Sequence, residues 1–378
     1  MSAAPDIVIV GAGIVGAACA RECARAGLRV LVLDRGPVGG GTTAAGMGHI
    51  VVMDDSPAQF ALTAFSRRLW QELAPELPAA VEYDPCGTLW VAADEPEMAE
   101  VHRKAAFYRE RGVRVEVLEG DDVAAAEPAL RPGMAGGLRV VDDAVVYPPA
   151  AAQHLLESQE NARRIEVRPG VTVAALNEDG GVTLADGTRV SAGVAVNAAG
   201  PWSPLLAPGL PVRKRKGHLV ITDRHPGFVH HQIVELGYLK SAHAVTADSV
   251  AFNIQPRKTG QMLIGSSRQF GAEGTEINAE ILDRMLRRAF EYLPGLGRLS
   301  AIRAWAGHRA ATPDKLPLIG PSLASDRIWL ATGHEGLGIT TSLATGRLLA
   351  DQVLGRAPAI PVEPYLPARL GKGDTPHA

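Results

Sequence analysis

The sequence predicts an α/β protein: a parallel-sheet, dinucleotide-type domain interleaved with a smaller α+β domain, an antiparallel sheet flanked by helices. Three observations carry that expectation. A strand–glycine turn–helix–strand unit occupies residues 6–34. Apolar strand-like runs that end on glycine recur far down the chain, at 194–200 and 328–333. Between them stand helical patterns and short strand runs, with hairpin signals at Asp179-Gly180 and Asp186-Gly187. A length of 378 residues suits two domains. The expected division gives 1–80, 142–215 and 302–365 to the nucleotide domain, 81–141 and 216–301 to the second domain, and 366–378 to a tail.

The first element is Asp6–Val10, a run of β-branched residues that suits a strand buried on both faces. It enters GAGIVG, with Gly11, Gly13 and Gly16, then AACARECARAG, a helical pattern closed by Gly27. Leu28–Leu33 forms the second strand and ends on Asp34. This order is the Rossmann-like arrangement, and each glycine has a task. Gly11 permits the tight turn, Gly13 admits a pyrophosphate to the backbone, and Gly16 lets helix and strand pack closely. The helix N-terminus offers unpaired N–H groups to the phosphate, and Asp34 can accept from a ribose hydroxyl. An acid at Asp34 also disfavours a 2′-phosphate.

After Asp34 the segment RGPVGGGTTAAGMGHIVV holds eight glycines or alanines in eighteen residues, suited to bare backbone passing over a flat ligand. Thr42 and Thr43 add hydroxyls to it, and Ser56-Pro57 marks the next helix start. Further helices are expected near 57–73, 97–111, 148–164 and 280–292. The basic run Arg213–Lys216 reads as a solvated strand edge.

Composition narrows the function classes. Apolar residues make 46% and charged residues 21%, with a net charge of -3, which excludes global disorder and argues against a nucleic-acid partner. Cys19, Cys23 and Cys86 show no metal spacing, and an odd number of thiols suits a reducing, cytoplasmic setting. His230 and His231 lack a third ligand at metal spacing, so no metal is expected. The first apolar stretch is interrupted by glycines and follows an acid, unlike a signal peptide or membrane span.

The Gly/Ala segment, VAVNAAGPWS (194–203), GHRAATPDKLPLIG (307–320) and IWLATGHEGLGITTSLATGRLLADQV (328–353) resemble the D-amino-acid oxidase and glycine oxidase superfamily of FAD enzymes. The likeness runs nearly end to end. It implies non-covalent FAD held by Gly11, Gly13, Ile14, Val15, Gly16, Asp34 and Arg35, and by Thr42, Thr43, Ala44, Gly46, Met47 and Gly48. Val171, Ala198, Gly200, Trp202 and Arg309 complete the implied set, with Gly333, His334, Gly336, Leu337, Gly338, Ile339 and Thr340 from the C-terminal segment. The last helix would point its N-terminus at the flavin O2/N1 edge, where reduced flavin gathers negative charge.

On the substrate side the resemblance puts Arg309 on an α-carboxylate, a role that suits a planar, permanently charged fork. Arg268 and Arg303 compete for it. His49, Tyr238, His243, Asn253 and Gln255 fall where the family lines its pocket. The implied reaction passes the Cα hydride to flavin N5 and leaves an imine, with no obligatory protein base. Gly307 stands where monomeric sarcosine oxidases carry a flavin-linking cysteine, and Leu263 where they carry an oxygen-promoting lysine. AAGMGHIVVMDDSPAQFAL and CGTLWVAAD are most similar to D-hydroxyproline dehydrogenase flavoprotein subunits. That likeness implies cis-4-hydroxy-D-proline as substrate, a pyrroline carboxylate as product, and electron-accepting subunits with iron–sulfur or flavin centres. The alternatives are a glycine, sarcosine or general D-amino-acid oxidase using oxygen, and an inactive FAD-binding regulatory subunit. An NAD dehydrogenase is disfavoured, because its cofactor contacts would lie within one half of the chain.

Overall fold

The computed structural model describes residues 4–158, 163–237 and 248–371. Its first layer is a six-stranded sheet in the order Leu318–Pro321, Ile328–Thr332, Val194–Asn197, Ile7–Val10, Val30–Asp34, Ile165–Pro169. Only the Leu318–Pro321 edge strand is antiparallel to its neighbour. Helices Ile14–Arg25, Pro57–Leu73, Pro148–Glu157 and Gly338–Val353 contribute to the core on one face. The first and last of these helices cross so closely that a Cβ on Gly346 would lie 2.5 Å from the Ala18 carbonyl oxygen. Val173–Leu176, Val182–Leu184 and Arg189–Val190 form a small antiparallel sheet over the other face, burying Val8, Val10, Leu31 and Leu33. Cover on both faces is why the first strands are continuously apolar. The two hairpin glycines, Gly180 and Gly187, take positive φ between these short strands.

The second layer is an eight-stranded sheet in the order Ala301–Ala311, Arg213–Thr222, Met262–Phe270, Ser249–Pro256, Gln232–Glu235, Thr88–Ala92, Gly136–Val140, Val115–Glu119. All its pairs are antiparallel except Gln232–Glu235 with Thr88–Ala92. Helices Gly120–Ala126 and Ala279–Tyr292 cover one face and share a core with Val220, Phe252, Ile254 and Ile264. The architecture is the α/β one expected, with the chain passing repeatedly between the two sheets. The boundaries expected at 215/216 and 301/302 fall within Arg213–Thr222 and Ala301–Ala311, both strands of the eight-stranded sheet.

Local signals account for several element ends. The Ser56 hydroxyl accepts from the Gln59 N–H at 3.1 Å, capping the helix that starts at Pro57. Gly27 follows the first helix at φ +100°. One local reading needs correction. Arg213–Lys216 is no solvated edge: its strand pairs on both sides, and Arg215 and Lys216 are buried. After the last long helix the chain stays packed on the first layer, with Tyr365 buried and its hydroxyl donating to the Ala58 carbonyl at 2.7 Å. Arg369 likewise pairs with Asp314 at 2.7 Å.

Candidate active site

A cavity of about 620 Å³ runs from the C-terminal ends of the parallel strands onto the face of the eight-stranded sheet. Its first part is built by the glycine turn. Gly11 sits at φ +118°, and a Cβ there would lie 2.7 Å from the Ala198 carbonyl carbon. Gly13 lines the cavity directly. Gly16 does not: it packs the helix onto the turn, where a Cβ would meet the Gly11 carbonyl carbon at 3.0 Å. Asp34 accepts from the Ala12 N–H at 2.7 Å and from the Gly36 N–H at 2.8 Å, which fixes its carboxylate at the cavity wall. Beyond it Arg35 lies 4.4 Å over the Trp202 ring, and Val171 closes that end.

Helices Ile14–Arg25 and Gly338–Val353 begin at this cavity, and neither has a side-chain N-cap or an acid in its first turn. Two helix N-termini on one cavity, without acids in their first turns, suit a ligand carrying negative charge at two places. The Thr43 hydroxyl accepts from the Ile14 N–H at 3.0 Å, and the Thr42 hydroxyl donates to the His308 carbonyl at 2.8 Å. Both threonines therefore brace the 36–48 loop as well as lining the space.

The second part lies on the sheet. Arg309 Nη1 donates to the Ser267 carbonyl at 2.9 Å, and the guanidinium crosses Gly217, where a Cβ would be 2.5 Å from Nη1. Arg215 forms an ion pair with Glu335, whose backbone N–H is held by the Ala310 carbonyl at 2.8 Å. Arg268 is buried in the same wall, whereas Arg303 is exposed and lies outside the cavity. Burial pushes the His49 imidazole down to about 4 and that of His334 down to about 3, so both are neutral at pH 7. His334 Nε2 is 3.0 Å from the Thr345 hydroxyl, which ties the loop to its helix.

The structure brings most of the expected residues to this one space: Gly11, Gly13, Ile14, Val15, Asp34, Arg35, Thr42, Thr43, Gly46, Met47, Gly48 and His49. Val171, Ala198, Gly200, Trp202, Asn253, Arg309, His334, Gly336, Leu337, Gly338 and Ile339 join them. Five expected residues stand outside the lining. Gln255 donates to the Met47 carbonyl at 2.6 Å, and the Thr340 hydroxyl donates to the His49 carbonyl at 2.7 Å. Gly333 packs on Thr312, Gly16 packs on the turn, and Ala44 is exposed. Tyr238 and His243 lie outside the described residues. Sequence reasoning missed Gly217, Arg215, Glu335, Trp90 and Gln232, all in the lining. Of these only Gly217 gives a local signal, a glycine inside a strand where another group comes close.

Comparison with known proteins identifies the family. The profile of the DAO family, FAD dependent oxidoreductase, matches residues 6–352. The chain belongs to this family. FAD is therefore its cofactor, and the bare glycine turn, Asp34 and the two helix N-termini without first-turn acids fit that dinucleotide. The glycine oxidase of Pseudomonas aeruginosa is 30% identical over 96% of this chain and 98% of its own length. A D-amino acid dehydrogenase of Methylobacterium nodulans is 30% identical over 97% of this chain and 99% of its own. The crystal structure of glycine oxidase from Geobacillus kaustophilus aligns with a TM-score of 0.86 at 25% identity, covering 97% of this chain and 98% of that one. The chain is thus an FAD-dependent oxidoreductase with amino-acid-oxidising relatives. Among the described residues no helix is long and apolar enough to cross a membrane, and no His/Cys/Asp/Glu group could hold a metal.

Proposed function

We propose that this flavoprotein oxidises the C–N bond of a cyclic secondary D-amino acid, cis-4-hydroxy-D-proline, to a pyrroline carboxylate. The observation that carries the reading is Arg309, whose guanidinium lies over bare Gly217 in the cavity wall, on the strand whose His308 carbonyl is held by Thr42 of the glycine-rich loop. A carboxylate taken by that fork would orient the substrate's Cα within the space the cofactor shares. Bound FAD supplies the hydride-accepting chemistry. The chain's own residues position the substrate and exclude water. His49 is uncharged at neutral pH and leaves the local field to Arg309 and the Arg215–Glu335 pair. No protein base is assigned.

The two relatives at 30% identity carry names that divide on the acceptor, one an oxidase and one a dehydrogenase. We assign a dehydrogenase that passes electrons to partner subunits in the cytoplasm, because Leu263 is an apolar, buried residue packed with Met47 and Leu219. The flavin is taken as non-covalent, since none of Cys19, Cys23 and Cys86 lines the cavity. The test is an anaerobic screen of flavin bleaching over D- and L-amino acids and N-methylglycine. Bleaching by cis-4-hydroxy-D-proline, with little peroxide released in air, supports the reading. Stoichiometric peroxide would make the chain an oxidase. A flavin that no amino acid reduces would leave an FAD-binding regulatory subunit.

A further inference from the structure

Glu335 stands in the cavity lining with a backbone that its residue type does not favour. It lies in the turn between strand Ile328–Thr332 and helix Gly338–Val353, at φ +53°. That left-handed conformation is uncommon outside glycine, asparagine and aspartate. Glycine stands close by at 333, 336 and 338, yet position 335 carries a long acidic side chain. An outlier of this kind persists where its surroundings over-determine it, and at a cavity it points to a task for the side chain. Two contacts fix it. Its backbone N–H donates to the Ala310 carbonyl at 2.8 Å, an isolated antiparallel bridge to the strand that carries Arg309. Its carboxylate pairs with Arg215, which stands opposite Arg309 in strand register.

The pair is a poor device for stability alone. Its side chains are only 8% and 13% exposed, and Arg215 Nε and Glu335 Oε2 have no hydrogen-bond partner among the described residues. A buried pair left partly unsatisfied recovers little of its desolvation cost, and its better use is to select one arrangement. The arrangement selected here lies next door. A Cβ on Gly336 would be 3.4 Å from Arg309 Nε and 3.5 Å from its Cδ, while one on Gly217 would be 2.5 Å from Nη1. The Arg309 side chain is thus bounded by strand Arg213–Thr222 and by the turn that Glu335 fixes. Two residues beyond Gly336, the last helix begins at the cavity.

We propose that Glu335 is a positioning residue: its pair with Arg215 holds the 333–337 turn against strand Ala301–Ala311, so that Gly336 backs the Arg309 side chain and the last helix opens on the flavin. The inference rests on the reading above that Arg309 takes the substrate carboxylate. One ion pair then sets two parts of the site, the fork that orients the substrate and the helix N–H groups that favour charge on the reduced cofactor. A loosened turn lets the Arg309 side chain shift and weakens its hold on a carboxylate. It also moves the helix N-terminus, which makes the flavin harder to reduce.

The experiment uses the FAD-saturated protein and three variants. Glu335→Gln removes the charge, Glu335→Gly removes the charge and frees the left-handed φ, and Arg215→Met with Glu335→Gln removes the pair without leaving a buried charge unpaired. KM and kcat for the amino acid come from anaerobic flavin reduction. The Kd for acetate comes from the visible flavin spectrum, and the midpoint potential from equilibration with reference dyes. All three variants should raise KM and the acetate Kd by about tenfold or more, change kcat less, and move the potential to more negative values. The double variant should keep a melting temperature near wild type and still show the defect. A pair that merely joins the two layers would instead lower melting temperature or flavin content, with wild-type KM, Kd and potential in the flavinated fraction, and that result overturns the proposal. Full recovery in Glu335→Gly also overturns it, since the turn would then need only its φ. If no amino acid bleaches the wild-type flavin, the proposed function fails, and the potential, with acetate binding where wild type shows it, still decides this inference.

Discussion

Gly16→Ala sets helix propensity against packing at one atom. Alanine inside a helix is favoured over glycine by about 1 kcal/mol, so propensity alone predicts a more stable protein. The structure predicts the opposite. A Cβ at position 16 would lie 3.0 Å from the Gly11 carbonyl carbon, closer still to its oxygen, and 3.3 Å from Ala198 Cβ. Non-bonded carbon atoms settle near 3.5–4.0 Å, roughly speaking, so the helix has to retreat by something on the order of an ångström. The turn cannot yield instead, because the Gly11 N–H is held by the Leu33 carbonyl at 2.8 Å. Overpacking of this kind costs about 1–3 kcal/mol, and a backbone carbonyl places it at the upper end. After the propensity gain, the net loss is about 2 kcal/mol. At about 2.1 cal/mol/K per residue, that lowers the midpoint of a cooperative 378-residue unit by roughly 2–3 °C. The retreat also withdraws the helix N-terminus from the pyrophosphate, so FAD affinity should fall by about tenfold or more. The assay is differential scanning fluorimetry across an FAD titration, with Gly297→Ala as control, since no atom lies within 4 Å of a Cβ there. A raised melting point with wild-type FAD affinity would refute the close helix–turn contact.

Arg309→Ala should lower kcat/KM for the amino acid by about 10²–10³, chiefly through KM, because a buried charge-paired carboxylate is worth roughly 2–5 kcal/mol. Arg309→Lys should recover only part of this, and wild-type kinetics in Arg309→Ala would move the carboxylate to Arg268. Acid sensitivity should come from the buried imidazoles. His49 and His334 have native values of about 4 and about 3, below the ordinary value of 6.5. The unfolded chain therefore binds the more protons at acid pH. Stability is complete above pH 6.5 and falls as the pH drops toward those native values, by on the order of a few kcal/mol. Urea midpoints measured from pH 7 to pH 4.5 check this, and His334→Gln should flatten the slope.

What was legible in the sequence is what is local. The glycine turn, Ser56 at its helix start and the two hairpin glycines each state their backbone requirement within a few residues, and the structure meets each one. The basic run failed for the converse reason. Arg215 and Lys216 are buried because strands Met262–Phe270 and Ala301–Ala311 flank them, and because Glu335, far down the chain, supplies a counter-ion. Nothing near residue 215 announces either fact. Trp90 and Gln232 were unreadable in the same way, since an aromatic residue and an amide in apolar strands look like core until the register places them on the cavity face of the sheet.

Gly217 stands between these cases, and it permits a sharper test of Arg309 than removing the arginine. Its neighbours in the strand are large, which already marks a close approach by another group, but which group is settled only by the pairing of Gly217 with Gly307 and of Arg215 with Arg309. A Cβ at Gly217 would lie 2.5 Å from Arg309 Nη1 and 2.9 Å from its Cζ. The obstructed atoms are the far end of a flexible side chain, and strand Arg213–Thr222 has no need of positive φ at this position. Gly217→Ala should therefore leave the melting temperature within about 1 °C of wild type, since substitutions without a core clash usually fall within about 0.5 kcal/mol. The guanidinium, however, has to move by roughly 1 Å, and a misplacement of that size can cost about 10²-fold in catalysis. Activity should fall while fold and flavin content persist. Wild-type kcat/KM in a fully flavinated Gly217→Ala protein would show that Arg309 does not need this position, and the carboxylate would then belong to another group.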